Sequence, residues 1–202
     1  MMQTVPICIE MTMQLPDLMT AEELRQLVAR DPSVSELYAL TRTQCYFLLS
    51  KEVVNLLALF LKSRKTIEVG AGNGFLAAHL RREGVMHYEA YDNLSSHYTN
   101  ADINYGVIHH DARELELRHY DVVVMTWPPC NKPFAKDIID KMQAGQYLVY
   151  QGEHYGCTAD RSFEETLTER FVPVPVLTYS LNKHHVTYGD YRDEWSVLKK
   201  VK

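Results

Sequence analysis

The spacing of apolar residues changes character along this chain, and the changes outline its elements. Thr20-Ala21-Glu22-Glu23 has the form of a capping box, and Leu24, Leu27 and Val28 follow it at helical spacing. Asp31-Pro32-Ser33 closes that helix and opens another stretch. Residues 34–47 start helically and pass into a segment rich in Thr and aromatic residues. Val53, Leu56, Leu57, Phe60 and Leu61 then form one apolar stripe, which predicts a helix over about 51–63. From Thr66 onward short apolar runs alternate with amphipathic ones. They predict strands near 66–69, 86–91, 105–109, 120–126 and 146–151, and helices near 74–82, 94–99, 134–143 and 160–169. The helix at 134–143 presents Phe134, Ile138, Ile139 and Met142 at the right period. Such alternation implies an α/β fold with a mostly parallel sheet and helices on both faces.

The tail departs from that rhythm. Val176–Leu181 and Glu194–Val201 both read as strands with no helix between them, and Pro173 and Pro175 mark the approach to the first. This pattern predicts an antiparallel hairpin at the sheet edge. Residues 1–19 carry Pro6 and Pro16 and read as an irregular arm. Residues 1–63 are therefore expected to form an arm and helical cap, and 64–202 the sheet domain, as one structural unit.

Composition narrows the function classes. The chain has 202 residues, 46% apolar and 23% charged, which fits an ordinary globular domain. Its 21 basic and 26 acidic residues give a net charge of −5, so no basic footprint for a phosphate backbone is visible. The pairs Arg81-Arg82 and Lys199-Lys200 are too short to form one. The four cysteines, Cys8, Cys45, Cys130 and Cys157, form no CxxC pair and match no zinc spacing, which points to a reducing, cytoplasmic setting and to no metal. The apolar run at Val53-Val54 and Leu56–Leu61 is far short of a membrane span, and the start of the chain, with Glu10 and no basic cluster, does not read as a secretory leader.

The most informative stretch is Thr66-Ile67-Glu68-Val69-Gly70-Ala71-Gly72-Asn73-Gly74-Phe75. A glycine turn between a strand and a helix lets a ligand approach bare backbone, and aims the helix N-terminus at it. The dinucleotide fingerprint would need a small residue where Phe75 stands, because helix and strand pack closely there. The pattern E-x-G-x-G-x-G instead resembles the first motif of the class I S-adenosylmethionine-dependent methyltransferases. Tyr91-Asp92 at the second strand's end lies 22 residues after Gly70, near the ~20 expected for an acid that takes the ribose hydroxyls. His110-Asp111-Ala112 resembles the family's third motif. A plainer reading makes Asp92 and Asp111 caps of the turns that follow.

The resemblance implies a Rossmann-like sheet of seven strands, mostly parallel with an antiparallel last strand, and an N-terminal helical extension. It implies S-adenosylmethionine as cofactor and S-adenosylhomocysteine as product. Glu68 would lie near the methionine ammonium, and Gly70, Gly72 and Asn73 around the sulfonium. Asp92 and Asn93 would take the ribose, and Asp111 and Ala112 the adenine. Thr126 completes the cofactor set, and Trp127, Pro128 and Pro129 would face the substrate. By analogy, Tyr46 and Phe47 would close over the cofactor. A nearer resemblance, carried by Ala90-Tyr91-Asp92, Trp127-Pro128-Pro129 and Gly152-Glu153…Gly156-Cys157-Thr158, is to a largely uncharacterised group of methyltransferase-like proteins, over about 66–200.

Methyl transfer from a sulfonium mainly needs alignment and exclusion of water. A base is needed only for a protonated nucleophile, and Glu153 and His154, just past the fifth strand, are the candidates. Nucleobase amino-methylating enzymes use (Asn/Asp/Ser)-Pro-Pro-aromatic. Trp127 and Cys130 replace both ends of that motif here, and an indole N–H cannot accept the target amine's hydrogen bond. Pro129-Cys130 resembles the nucleophile turn of cytosine C5-methylating enzymes, without their Glu-Asn-Val partner. The substrate expected is a small molecule or protein side chain. The alternatives are a nucleic-acid substrate or a non-catalytic cofactor-binding module.

Overall fold

The computed structural model describes residues 15–30, 36–37, 41, 45–93 and 104–202. The elements are α1 (Ala21–Ala29), α2 (Lys51–Leu61), β1 (Thr66–Val69), α3 (Phe75–Arg82), β2 (Tyr88–Asp92), β3 (Ile108–His109), β4 (Val122–Thr126), α4 (Phe134–Lys141), β5 (Tyr147–Gly152), α5 (Arg161–Arg170), β6 (Phe171–Pro173), α6 (Pro175–His184) and β7 (Glu194–Lys200). Two 3-10 turns, Ala112–Glu114 and Leu117–His119, link β3 to β4. The strands form one sheet in the order β3-β2-β1-β4-β5-β7-β6. β3, β2, β1, β4 and β5 pair in parallel; β7 runs antiparallel to both β5 and β6. This is the seven-stranded Rossmann-like sheet with an antiparallel last strand. The strand order reverses between β1 and β4, so a crevice opens beyond their carboxyl ends, where such sheets take ligands.

Each face of the sheet has its own core. Leu57, Leu61, Phe75, Leu76, Leu80, Val124, Val149, Trp195 and Val197 pack between one face and α2, α3 and α6. Ile67, Val69, Met125, Ile138, Ile139, Leu148, Tyr150 and Phe163 pack between the other face and α4 and α5. Side chains alternate across a strand, so Glu68, between Ile67 and Val69, faces the α2–α3 side. A third, smaller core joins Ala21 and Leu24 of α1 to Leu37, Leu48, Val186 and Tyr188. The capping box at Thr20 forms, with Thr20 Oγ1 accepting from the Glu23 N–H and Glu23 Oε2 accepting from the Thr20 N–H at 2.7 Å.

Two expected elements differ. Val176–Leu181 lies within a helix, and the edge strand β6 precedes it at Phe171–Pro173, so the hairpin becomes strand, helix, strand. Pro175 opens α6 at a first-turn position, where its missing N–H costs nothing. Only Leu181 of this helix is buried. Exposed Val176 and Tyr179 broke the helical stripe and made the sequence read as a strand. The strand expected over 105–109 is confined to Ile108–His109, because Gly106 has φ +80° and ends the extended backbone. The helix expected at 94–99 lies outside the described residues, as does most of 34–44. Among the described residues no helix is long and apolar enough to cross a membrane.

Candidate functional site

The glycine turn is built as its sequence requires. Gly70, Gly72 and Gly74 have φ of +68°, +57° and +82°, a backbone that side chains seldom adopt. A Cβ on Gly72 would meet nothing within 4 Å, so the turn's middle is open to a ligand. A Cβ on Gly74 would stand 2.5 Å from Val107 Cγ2. Gly74 is thus needed for packing, and Gly72 for conformation. The Gly72 N–H donates to Asp92 Oδ2 at 2.9 Å, and the Ala71 N–H to the Tyr91 carbonyl at 3.0 Å. The turn is tied to the end of β2 by these bonds, so the glycines and Asp92 line one wall. Asn73 Oδ1 accepts from the Phe75 N–H at the start of α3, whose N-cap is Gly74.

Glu68 is 1% exposed and accepts one hydrogen bond from the Tyr88 hydroxyl at 3.1 Å. Burial pushes its carboxyl up to about 8, against the opposing pull of Tyr88. Near neutral pH its neutral form is thereby favoured. Asn93 accepts from His109 through its carbonyl at 2.8 Å. Asp111 caps the first 3-10 turn through the Arg113 N–H and pairs with the Arg113 guanidinium at 2.7 Å. The Arg113 bonds hold its carboxyl down at about 2. The capping role is therefore present at Asp111, with Ala112 buried beside it.

The β4 end forms the opposite wall. Thr126 is buried, and Trp127 has φ +48°, strained for a large side chain. Its N–H donates to the Gln151 carbonyl at 2.8 Å, and its ring meets Tyr191 edge-on at 5.4 Å. Pro128 is buried; Pro129 and Cys130 are exposed, and the Cys130 thiol donates to the Gly156 carbonyl at 3.7 Å. Tyr46 also has a positive φ, +62°. Phe47 is buried against Trp195, with ring centroids 5.5 Å apart.

Glu153 and His154, expected to face the crevice as base candidates, are both engaged by neighbouring groups. Glu153 Oε2 accepts from the Cys157 N–H at 2.8 Å and Oε1 from the Arg192 N–H at 2.6 Å. Burial would raise its pKa, but these two donors outweigh it and lower it. Glu153 therefore fixes two loops as a carboxylate. His154 shares hydrogen bonds with Glu164 Oε2 at 2.8 Å and Ser196 Oγ at 2.9 Å, and packs on Tyr150. It lies on the α5 side of the sheet, away from Glu68. Burial opposes its protonation, yet the Glu164 carboxylate prevails and raises its pKa.

A group that sequence spacing did not single out lies on Glu68's side. Gln151 on β5 donates through Nε2 to Asp193 Oδ2 at 2.6 Å, and His185 Nε2 shares a 2.8 Å hydrogen bond with the same oxygen. All three side chains are buried. Asp193 and His185 come from the link between α6 and β7, which lacks periodicity. The signal available was only the acid-rich run Asp190–Glu194. Among the described residues, no group of three His, Cys, Asp or Glu converges as a metal site.

Comparison with known proteins gives fold-level agreement. No family model matches the chain, and no curated relative does. Among solved structures, a point mutant of MtNAS in complex with S-adenosylmethionine superposes with TM-score 0.50 at 13% identity, covering 89% of this chain and 73% of that one. The RNA methyltransferase candidate PH1948 of Pyrococcus horikoshii gives 0.49 at 14% identity over 75% and 84% of the two chains. The B. subtilis tRNA methyltransferase TrmK gives 0.45 at 11% over 76% and 67%.

Proposed function

We propose that this protein binds S-adenosylmethionine in the crevice between the glycine turn and the Trp127 turn and transfers its methyl group to a small molecule or protein side chain. The observation that carries the reading is the Gly72 N–H on Asp92 Oδ2, which brings an open, left-handed glycine turn and a strand-end acid to one wall. A nucleoside laid along that wall would give its ribose hydroxyls to Asp92, with Asn93 beside it. Gly70, Gly72 and Asn73 would line the sulfonium, and Thr126 the far side. Asp111 and Ala112 would border the adenine. Glu68 would receive the methionine ammonium, which supplies the cation that a buried carboxyl needs to ionise. Trp127, Pro128 and Pro129 would flank the acceptor. Glu153 would brace that end of the site, with His154 stiffening it from behind. The net charge of −5 favours a neutral or cationic acceptor over a polyanion.

Calorimetric titration with S-adenosylmethionine and S-adenosylhomocysteine tests the cofactor assignment. The wild type is expected to bind both. Asp92→Ala is expected to lose about 1.5–3 kcal/mol, roughly 10- to 150-fold in affinity. A wild-type protein that takes up neither nucleoside would sink the assignment.

A further inference from the structure

The Asp193–His185–Gln151 group has more polar capacity than its own bonds use. Asp193 is a carboxylate acceptor, so the shared hydrogen bonds place a proton on His185 Nε2 and turn the Gln151 amide nitrogen toward the acid. That leaves His185 Nδ1 as a lone-pair acceptor and Gln151 Oε1 as a second one. Both are buried without a hydrogen-bond partner among the described residues, and so is the Trp195 Nε1–H donor. Buried polar atoms are satisfied in the large majority of cases, so three orphans together need a cause.

They are close to one another. Gln151 and Trp195 face each other across β5 and β7, and paired residues point to the same side. His185 and Trp195 both pack on Phe47, at ring separations of 6.4 and 5.5 Å. The group also borders the crevice. Gln151 is the register partner of Thr126 and takes the Trp127 N–H on its carbonyl. Glu68 and Asp193 both lie near enough to the Cys45 thiol to disfavour its ionisation, which puts the two acids in one neighbourhood. An imidazole oriented by a buried carboxylate, with its other nitrogen unengaged, is the arrangement of a positioned general base.

We propose that His185, oriented by Asp193, takes the proton of the methyl acceptor, with Gln151 Oε1 and the Trp195 N–H holding the acceptor's polar head. This inference rests on the methyltransferase reading above and commits the acceptor to an N–H or O–H nucleophile. In the step, the nucleophile's lone pair forms the bond to the methyl carbon. The carbon–sulfur bond breaks, and its electron pair stays on sulfur as the neutral thioether. The acceptor's proton passes to His185 Nδ1, and the imidazolium so formed faces Asp193.

Sinefungin, which carries an amine in place of the sulfonium methyl, probes this geometry without knowledge of the acceptor. In the full chain with 15N-labelled histidine, His185 is identified by the signals missing from His185→Gln. Sinefungin is expected to shift its Nδ1 resonance, and S-adenosylhomocysteine to leave it in place. His185→Gln and Asp193→Asn are each expected to weaken sinefungin about 10-fold while S-adenosylhomocysteine affinity stays the same. An Nδ1 signal that ignores bound sinefungin, or variants that lose both nucleosides equally, would overturn the assignment of His185 and leave the cofactor reading standing. A wild type that binds neither nucleoside removes the cofactor reading, and this inference with it.

Discussion

The two walls of the crevice are made in different ways. On the β1–β2 side the ties are shorter: Gly72 reaches Asp92, Ala71 reaches Tyr91 and Tyr88 reaches Glu68 across 20 residues each, and the Asn73 carbonyl takes the N–H of Tyr105. On the β4–β5–β7 side the ties are long. Gln151 reaches Asp193 across 42 residues, Glu153 reaches Arg192 across 39, and Thr41 meets Tyr188 across 147. The first wall is held mainly by residues close to one another in the chain. The second exists only once the whole chain has folded, so the second should fail first under perturbation.

The largest effect should come from Glu68, where the first wall buries a carboxyl that is costly to ionise. A carboxyl that binds its proton more tightly folded than unfolded adds stability at low pH, and loses it as pH climbs from the ordinary value of 4.5 to about 8. Every tenfold gain in proton affinity on folding is worth about 1.4 kcal/mol, so the change across that window is on the order of a few kcal/mol. Urea unfolding of wild type and Glu68→Gln over the window should show the variant gaining on the wild type as pH rises. A constant difference would mean that Glu68 is not held neutral.

Trp195→Ala tests the second wall. Its indole is fully buried between Phe47 and the sheet, and Asn182 clamps its backbone on both sides, at 2.9 and 2.8 Å. Truncating a buried aromatic of this size costs about 3–5 kcal/mol. The sharper expectation is where the loss falls. Below the lowered unfolding midpoint, S-adenosylhomocysteine should still bind the first wall, while amide exchange around Trp127 and Gln151 accelerates. Equal loosening of both walls would break the contrast.

Gly74→Ala does the converse. The new methyl would press on Val107, and a left-handed backbone at φ +82° resists any Cβ. Overpacking of this kind costs about 1–3 kcal/mol. The Asp193–His185 signals should remain unchanged while the glycine turn is displaced.

How much of each wall could be read in the sequence follows from the same contrast. The glycine turn, Asp92 and the parallel core were legible because their determinants are neighbours in the chain and follow a period of two or 3.6. The edge was misread at Val176–Leu181 because α6 buries only Leu181, so no apolar stripe marks it; Thr178, bonded to Val197, docks it instead. Glu153 and His154 were correctly placed after β5, but alternation cannot say which side of the sheet a loop residue turns to. His185 and Asp193 are marked in the sequence by nothing more than the acid-rich run Asp190–Glu194, because only tertiary contacts bring them to Gln151.

The smallest expected effect concerns how far the second wall extends. α1 packs Ala21 and Leu24 against Tyr188, whose ring meets Tyr191 at 5.3 Å, and Tyr191 meets Trp127 at 5.4 Å. The first helix is thereby linked to the acceptor turn through three aromatic rings. Thr20→Ala removes the cap of α1 at a cost of about 1 kcal/mol. Thr20 is remote in sequence from every crevice residue, so a purely local effect would stop at α1. If the aromatic chain transmits the loosening, amide exchange rises at Trp127 while Gly72, on the other wall, keeps its protection. Unchanged exchange at Trp127 with faster exchange across α1 would confine the cap's role to its own helix, and would end the second wall at Tyr191.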